Sequence, residues 1–250
     1  MTKTISFNIQ KGGVAQTTSA VITAEILQQR GYDVLLVDFD PQRNLTHDLT
    51  HGLAVDKPKR PVADVLTGKT NIKDAILRTE AGLGLLPADR SLFALQAALE
   101  SNALAKVLAP VSGYFDYVII DTAPALSSLS VNALVASDLV VIPAVLGDFC
   151  DLAIRDVLNT IDTVRQQNKK LAVAGILITM SKKRYVLDRL VAEQYQRLAD
   201  SKHIRLFTSK IRQCQKVKEA QMLKISLLEY APRCNAALDY RKFVNELLEL

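Results

Sequence analysis

Ser6-Phe7-Asn8-Ile9-Gln10-Lys11-Gly12-Gly13-Val14-Ala15-Gln16-Thr17-Thr18-Ser19-Ala20 is the stretch whose reading decides the fold. An extended apolar run, Ile5 to Ile9, feeds a glycine-containing turn that opens directly into a helical pattern. A turn of this kind cradles phosphate. Glycines let backbone N–H groups point inward at an anion, and the helix N-terminus adds about half a positive charge there. Against the general phosphate-loop pattern G-x-x-x-x-G-K-[ST], Gln10 stands at the first glycine, Ala15 at the second and Gln16 at the lysine. Of the strict motif only Thr17 is retained.

Outward from the loop, the chain alternates strands and helices. Thr18 to Arg30 carries Ala20, Val21, Ala24, Ile26 and Leu27 at helical spacing, and Gly31 closes it. Val34-Leu35-Leu36-Val37 follows as a run without polar alternation, the pattern of a strand buried on both faces of a parallel sheet. Strand, crossover helix and strand make a βαβ unit. The second strand ends in Asp38-Phe39-Asp40-Pro41-Gln42-Arg43-Asn44. Open α/β sheets bind ligands beyond the carboxyl ends of their strands, so both carboxylates face whatever the first loop holds. Tyr117-Val118-Ile119-Ile120-Asp121 repeats the device: a buried strand delivers one carboxylate at its tip, as a magnesium-water contact requires. Leu139 to Pro143 and Val173 to Met180 read as further buried strands, and Ile204 to Phe207 as a last one. Helices are expected at Val62–Leu66, Ile72–Leu77, Leu92–Leu108, Asp151–Arg165 and Leu238–Leu250. The fold class is therefore α/β: a doubly wound, mostly parallel sheet flanked by helices, with residues 1–250 as one domain.

These motifs together resemble the ParA/MinD family of partition and positioning ATPases, whose deviant phosphate loop reads K-G-G-x-G-K-T-T. Lys11, Gly12, Gly13, Thr17 and Thr18 match it, Asp38 to Asn44 is similar to the family's D-x-D-P-Q-x-N segment, and Asp121 to Pro124 to its D-x-x-P segment. The resemblance covers nearly the whole chain. It implies ATP and Mg2+ as ligands, with Lys11, Gly12, Gly13, Val14, Ala15, Gln16, Thr17 and Thr18 around the nucleotide. By the same resemblance Thr17 is the metal ligand, supported by Asp38 and Asp121. Asp40 orients the attacking water, and Lys11 reaches across a homodimer to the partner's nucleotide. Adenine contacts are not carried over, because Arg212, Gln213 and Cys214 stand where the family has Pro, Arg and Asn.

Gln16 and Ala15 are the departures. Gln is of similar reach to Lys but uncharged, and losing a charge-assisted contact costs about 1.5–3 kcal/mol in binding. Losing an electrostatic stabiliser of the transition state costs roughly a hundredfold or more in rate. Ala15 is tolerable where its φ is negative. Gln16 is read either as a natural residue that weakens turnover or as an introduced change. Two functions stand accordingly: an ATP-cycling DNA partition protein, or a catalytically silent, DNA-binding regulatory dimer.

Charge supports a polyanion partner. Between Arg165 and Leu250 there are 18 Lys and Arg against 8 Asp and Glu, while the preceding residues hold 13 against 18. Lys182, Lys183, Arg184, Arg189, Lys216, Lys218, Arg241 and Lys242 are the candidate DNA contacts. With no helix-turn-helix pattern, they are expected to hold phosphates without reading sequence. The family resemblance implies the same nucleoid-bound behaviour, with a ParB-like stimulator as partner. MinD-like relatives, the other positioning type, end in a membrane-binding amphipathic helix. Here the tail ends Asn245-Glu246-Leu247-Leu248-Glu249-Leu250, acidic at its tip, which argues against an anionic bilayer.

Composition is consistent with this. Apolar residues make up 49% of 250, enough for one extended core, and no run of roughly eighteen apolar residues occurs. The start of the chain lacks a signal-peptide layout, so a cytoplasmic location is expected. Cys150, Cys214 and Cys234 lack C-x-x-C spacing and are expected as reduced thiols. His47 and His51 are four apart and could share a helical face, but without a third ligand they are a weak metal signal and are expected on an exposed polar helix.

Overall fold

The computed structural model describes residues 2–49, 59–147, 150–182 and 186–250. His51, Lys183 and Arg184, named above, lie outside the described residues. Among the described residues seven strands form one sheet: β1 (Lys3–Phe7), β2 (Val34–Phe39), β3 (Leu77–Arg78), β4 (Gly84–Leu86), β5 (Tyr117–Thr122), β6 (Leu139–Val145) and β7 (Ala172–Thr179). Their order is β3-β4-β2-β5-β1-β6-β7, parallel throughout except for β3, a short antiparallel edge on β4.

Register does the positioning. Phe7 of β1 lies opposite Asp121 of β5, and Asp121 lies opposite Asp38 of β2. Because the three central strands run the same way and end level, the loop after β1 and both acidic tips open on one edge of the sheet. All six residues of β2 are buried, as its unbroken apolar run requires.

The helices are α1 (Gln16–Gln29), α2 (Asn44–Leu49), α3 (Val62–Leu66), α4 (Ile72–Ala75), α5 (Leu92–Leu95), α6 (Ala103–Leu108), α7 (Ser128–Val135), α8 (Cys150–Val164), α9 (Val186–Ser201), α10 (Gln215–Leu223), α11 (Leu227–Tyr230) and α12 (Asn235–Leu248). One core layer joins α1, α10, α11 and α12 to one sheet face through Phe7, Leu36, Ile119 and Leu177. On the opposite face α8 and α9 pack over Val140, Ile142, Ile176 and Ile178, and α3 to α7 over Leu35, Val37, Val118 and Ile120. Phe207 and Phe243 meet edge to face at 4.8 Å, pinning α12 beneath the segment that follows α9.

Three expected elements differ. Leu92–Leu108 is not one helix but α5 and α6. Asn132 of α7 accepts from Leu104 N at 3.0 Å and donates to Glu100 O at 2.9 Å, satisfying the backbone groups that a break exposes. The helix begun at Ile72 stops at Ala75, because Ile76 is extended and Leu77 already pairs with β4. Ile204–Phe207 makes bridges rather than a strand: Phe207 N donates to Ile176 O and Ile176 N to Arg205 O, without a continued ladder. Among the described residues, no helix is long and apolar enough to cross a membrane.

Candidate phosphate-binding site

Gly13 has φ 74° and Ala15 φ 58°, so two left-handed residues bracket Val14 and wind the loop into a concave turn. Sequence reasoning allowed Ala15 on condition of a negative φ, and the structure overturns that condition. The turn needs the left-handed conformation at this position, and an alanine there carries the strain that glycine would avoid. Ala15 precedes α1, whose first turn has neither a side-chain cap nor an acidic residue. An uncapped start to a 14-residue helix at the bottom of a concave loop is a place for an anion.

The loop is held from two strands and from the core. Val14 is buried, and its carbonyl accepts from Thr179 Oγ1 of β7 at 2.9 Å. Ile9 is buried in the layer under α8. Gln16 turns its amide to β5, where Nε2 donates to Thr122 O at 2.6 Å, to Thr122 Oγ1 at 3.1 Å and to Asp121 Oδ1 at 3.4 Å. Lys11 is half-buried at the turn, Gly12 and Gly13 are exposed, and Thr17 and Thr18 are half-buried at the head of α1.

Three carboxylates converge opposite. Asp38 is fully buried and accepts from Thr46 N at 2.8 Å, Thr46 Oγ1 at 2.7 Å and Asp40 N at 3.1 Å. Burial nevertheless raises its pKa to about 6, the Thr46 hydrogen bonds only partly offsetting it. Asp40 is buried, with Oδ1 accepting from Gln42 N at 2.8 Å, and burial lifts its carboxyl too. Asp121 sits well above the usual carboxylate range, through burial first and the charge of Asp38 second, with Thr17 and Gln16 hydrogen bonds acting the other way. Asp121 Oδ2, Gln16 Oε1 and Ser6 Oγ are buried without a partner. Buried acceptors of this kind, beside carboxylates that resist ionisation, fit a divalent cation. Among the described residues no group of three His, Cys, Asp or Glu side chains is arranged to hold a metal by itself.

The AAA domain family model matches residues 2–173. The chromosome partitioning protein ParA of Caulobacter vibrioides is 32% identical, over 96% of this chain and 91% of its own. The chromosome-partitioning ATPase Soj of Treponema pallidum is 33% identical, over 99% and 98%. The chain belongs to the ParA/MinD family. A solved structure described as cobyrinic acid a,c-diamide synthase from Mycobacterium smegmatis with bound ATP analog and magnesium is also similar: 32% identity, TM-score 0.85, covering 100% of this chain and 95% of that one.

In this ParA/MinD chain the nucleotide and metal candidates come together, whereas the basic candidates divide. Arg189 is on α9, 3.7 Å from Glu193, and Lys182 is exposed just after β7. Lys216 and Lys218 are on α10 and Arg241 and Lys242 on α12, across the sheet. Lys216 pairs with Glu219 at 2.8 Å, and Arg241 donates to Gln29 Oε1 at 3.1 Å. His47 is exposed, its Nδ1 3.6 Å from Asp48 Oδ1. Sequence reasoning missed Thr46, Thr122 and Thr179, which hold Asp38, Gln16 and the loop. Isolated threonines give no pattern, and only the fold brings them to the site.

Proposed function

We propose that this chain is a ParA-like DNA partition ATPase that binds ATP with Mg2+, dimerises in that state and holds DNA without reading sequence, with turnover weakened by Gln16. The observation that carries the reading is the convergence of an uncapped α1 N-terminus with the buried tips Asp38, Asp40 and Asp121 on one sheet edge. Relatives named as partition proteins support it. Residues 1–250 act as one unit, with the basic residues 165–250 supplying the DNA surface and the protein located on the nucleoid.

The chain's own groups divide the work. Backbone N–H groups of Gly12 to Thr18 bind the phosphates, and Lys11 of each protomer neutralises charge in the other. Thr17 and Asp121, backed by Asp38, would hold Mg2+, which when bound offsets charge on the phosphate oxygens. Asp40 orients water for in-line attack and keeps it on one side of the loop. Gln16 donates without charge, so the developing negative charge is less offset than by a lysine. A ParB-like partner stimulates release from DNA.

One observation favours the silent alternative: both donor directions of the Gln16 amide end on Thr122 and Asp121. The test is ATP binding and phosphate release, with and without DNA, in the parent and in Gln16→Lys. ATP binding in the parent, with turnover rising roughly a hundredfold or more in Gln16→Lys, is expected. Absence of ATP binding in both proteins would remove the reading. Turnover in the parent equal to that of Gln16→Lys would remove the role given to Gln16.

A further inference from the structure

Ala15 carries the left-handed strain of the phosphate loop, at φ 58° and ψ 34°, and its carbonyl is held twice. Ser19 N donates to it at 2.9 Å, as the first turn of α1 requires, and Ser19 Oγ donates to it at 2.7 Å. Ser19 Oγ is in turn 2.9 Å from the hydroxyl of Tyr240 on α12, 221 residues away in sequence. Both side chains are buried, Ser19 completely and Tyr240 to 1% exposure. A hydroxyl has a single hydrogen to give, which settles the direction of this chain of bonds. The Ala15 carbonyl can only accept, so the Ser19 hydrogen goes there and Tyr240 donates to Ser19. The reverse order would set two acceptors against each other across 2.7 Å. Burial raises the pKa of the Tyr240 phenol, so the donating hydrogen stays in place.

The preceding peptide unit is held in the same manner. Val14 O accepts from Thr179 Oγ1 at 2.9 Å, closer than the Ala144 carbonyl that the same hydroxyl meets at 3.3 Å. Thr179 is fully buried at the end of β7. A trans peptide unit is planar, with its C=O and N–H pointing opposite ways. Fixing Val14 O on β7 therefore aims the Ala15 N–H away from the tip of β7. Fixing Ala15 O along α1 aims the Gln16 N–H out of the helix N-terminus, where an anion is met. A left-handed alanine persists where its surroundings over-determine it, and two buried hydroxyls from β7 and α12 do so here.

We propose that Tyr240 and Thr179 are positioning residues for phosphate binding: Tyr240, through Ser19, sets the direction of the Gln16 N–H, and Thr179, through Val14, sets that of the Ala15 N–H. Each acts through the loop rather than on the ligand. The first makes α12, at the far end of the chain, part of the phosphate site. The Gln16 side chain is uncharged and turned to Thr122, so aimed backbone N–H groups carry a larger share of the phosphate contact than they would beside a lysine.

This role rests on the ATP reading above. The experiment displaces a fluorescent ATP analogue from the full chain with ATP and with inorganic tripolyphosphate, urea midpoints showing that each variant is folded in the assay. Tyr240→Phe and Thr179→Val each remove one hydroxyl while keeping the bulk of the side chain. Each should weaken both ligands about fivefold, the worth of one neutral hydrogen bond. Thr179→Ser, which keeps the hydroxyl, should bind both ligands as the parent does. In a Ser19→Ala background, Tyr240→Phe should weaken neither ligand further, an outcome that a general loosening of α12 would not give. Parent-like affinities in folded Tyr240→Phe, or a second full loss on top of Ser19→Ala, overturn the role of Tyr240 and leave the ATP reading standing. Parent-like affinities in Thr179→Val, or a loss in Thr179→Ser equal to that of Thr179→Val, do the same for Thr179. A parent that binds neither ligand overturns both roles together with the ATP reading.

Discussion

At the scale of single residues, the loop carries its strain at Ala15. A side chain at φ 58° brings Cβ against the following carbonyl, at a cost of about 1–2 kcal/mol. Glycine removes that clash but loses more backbone freedom on folding, by roughly 0.5–1 kcal/mol. Ala15→Gly should therefore stabilise the protein by about 0.5–1 kcal/mol, read as a higher urea midpoint at unchanged slope. A lower midpoint would mean that Ala15 is not strained in solution. The sequence showed that glycine was missing from the motif but could not report φ, because an alanine has no signature for the left-handed region. The same holds for Gln16. Its identity as a lost charge was legible, whereas its engagement with Thr122, more than a hundred residues away, depends on β1 and β5 lying side by side.

At the scale of elements, α1 shows what hydrophobic patterning hides. Its buried residues include Glu25 alongside Ile22, Ala24, Ile26 and Leu27, because α10, α11 and α12 cover the side that does not face the sheet. Glu25 accepts from Ser226 Oγ at 2.9 Å, yet burial lifts its pKa from 4.5 to about 7, with Glu229 adding to the rise. The folded protein therefore holds a proton on Glu25 that the unfolded chain releases from about pH 4.5 upward. Stability falls as pH rises through the window from 4.5 to about 7 and levels off above it. Glu25→Gln keeps an acceptor for Ser226 and abolishes this term. The variant should match the parent near pH 4.5 and exceed it by roughly 2–3 kcal/mol at pH 8, measured by urea unfolding across pH. Asp38, Asp40 and Asp121 shift in the same direction in both proteins and cancel in the difference. A constant gap at all pH values would place the Glu25 charge in water. Periodicity located most strands and long helices to within a few residues. The break between α5 and α6 was illegible because its cause, Asn132, lies on another helix.

At the scale of the whole molecule, the sheet that gathers the acidic tips also separates the basic residues. The excess of Lys and Arg after residue 165 was legible as a number, but a count has no direction, and the chain crosses the sheet between α9 and α10. Two surfaces result. On the α12 side, Lys216 is engaged by Glu219 and lies over the Tyr230 ring, and Arg241 is engaged by Gln29. On the α9 side, Lys182, Arg189 and Lys210 line one cleft, and Arg197 lines a neighbouring groove with Arg155 of α8. Lys216 and Arg241 are held at 2.8 and 3.1 Å, closer than Arg189 to Glu193 at 3.7 Å, and tightly held cations release fewer counterions, so for the proposed DNA binding the α9 side is the better candidate phosphate surface. Replacing Arg189 and Arg197 together by Ala should weaken binding to unrelated duplexes alike and reduce the slope of log affinity against log salt by about 1–2. Lys216→Ala with Lys218→Ala should leave that slope within error of the parent. Fluorescence anisotropy on two duplexes of different sequence over a salt series decides it: a slope altered only by the α10 pair would move the DNA to the α12 face, and a loss confined to one duplex would replace phosphate contact with base reading.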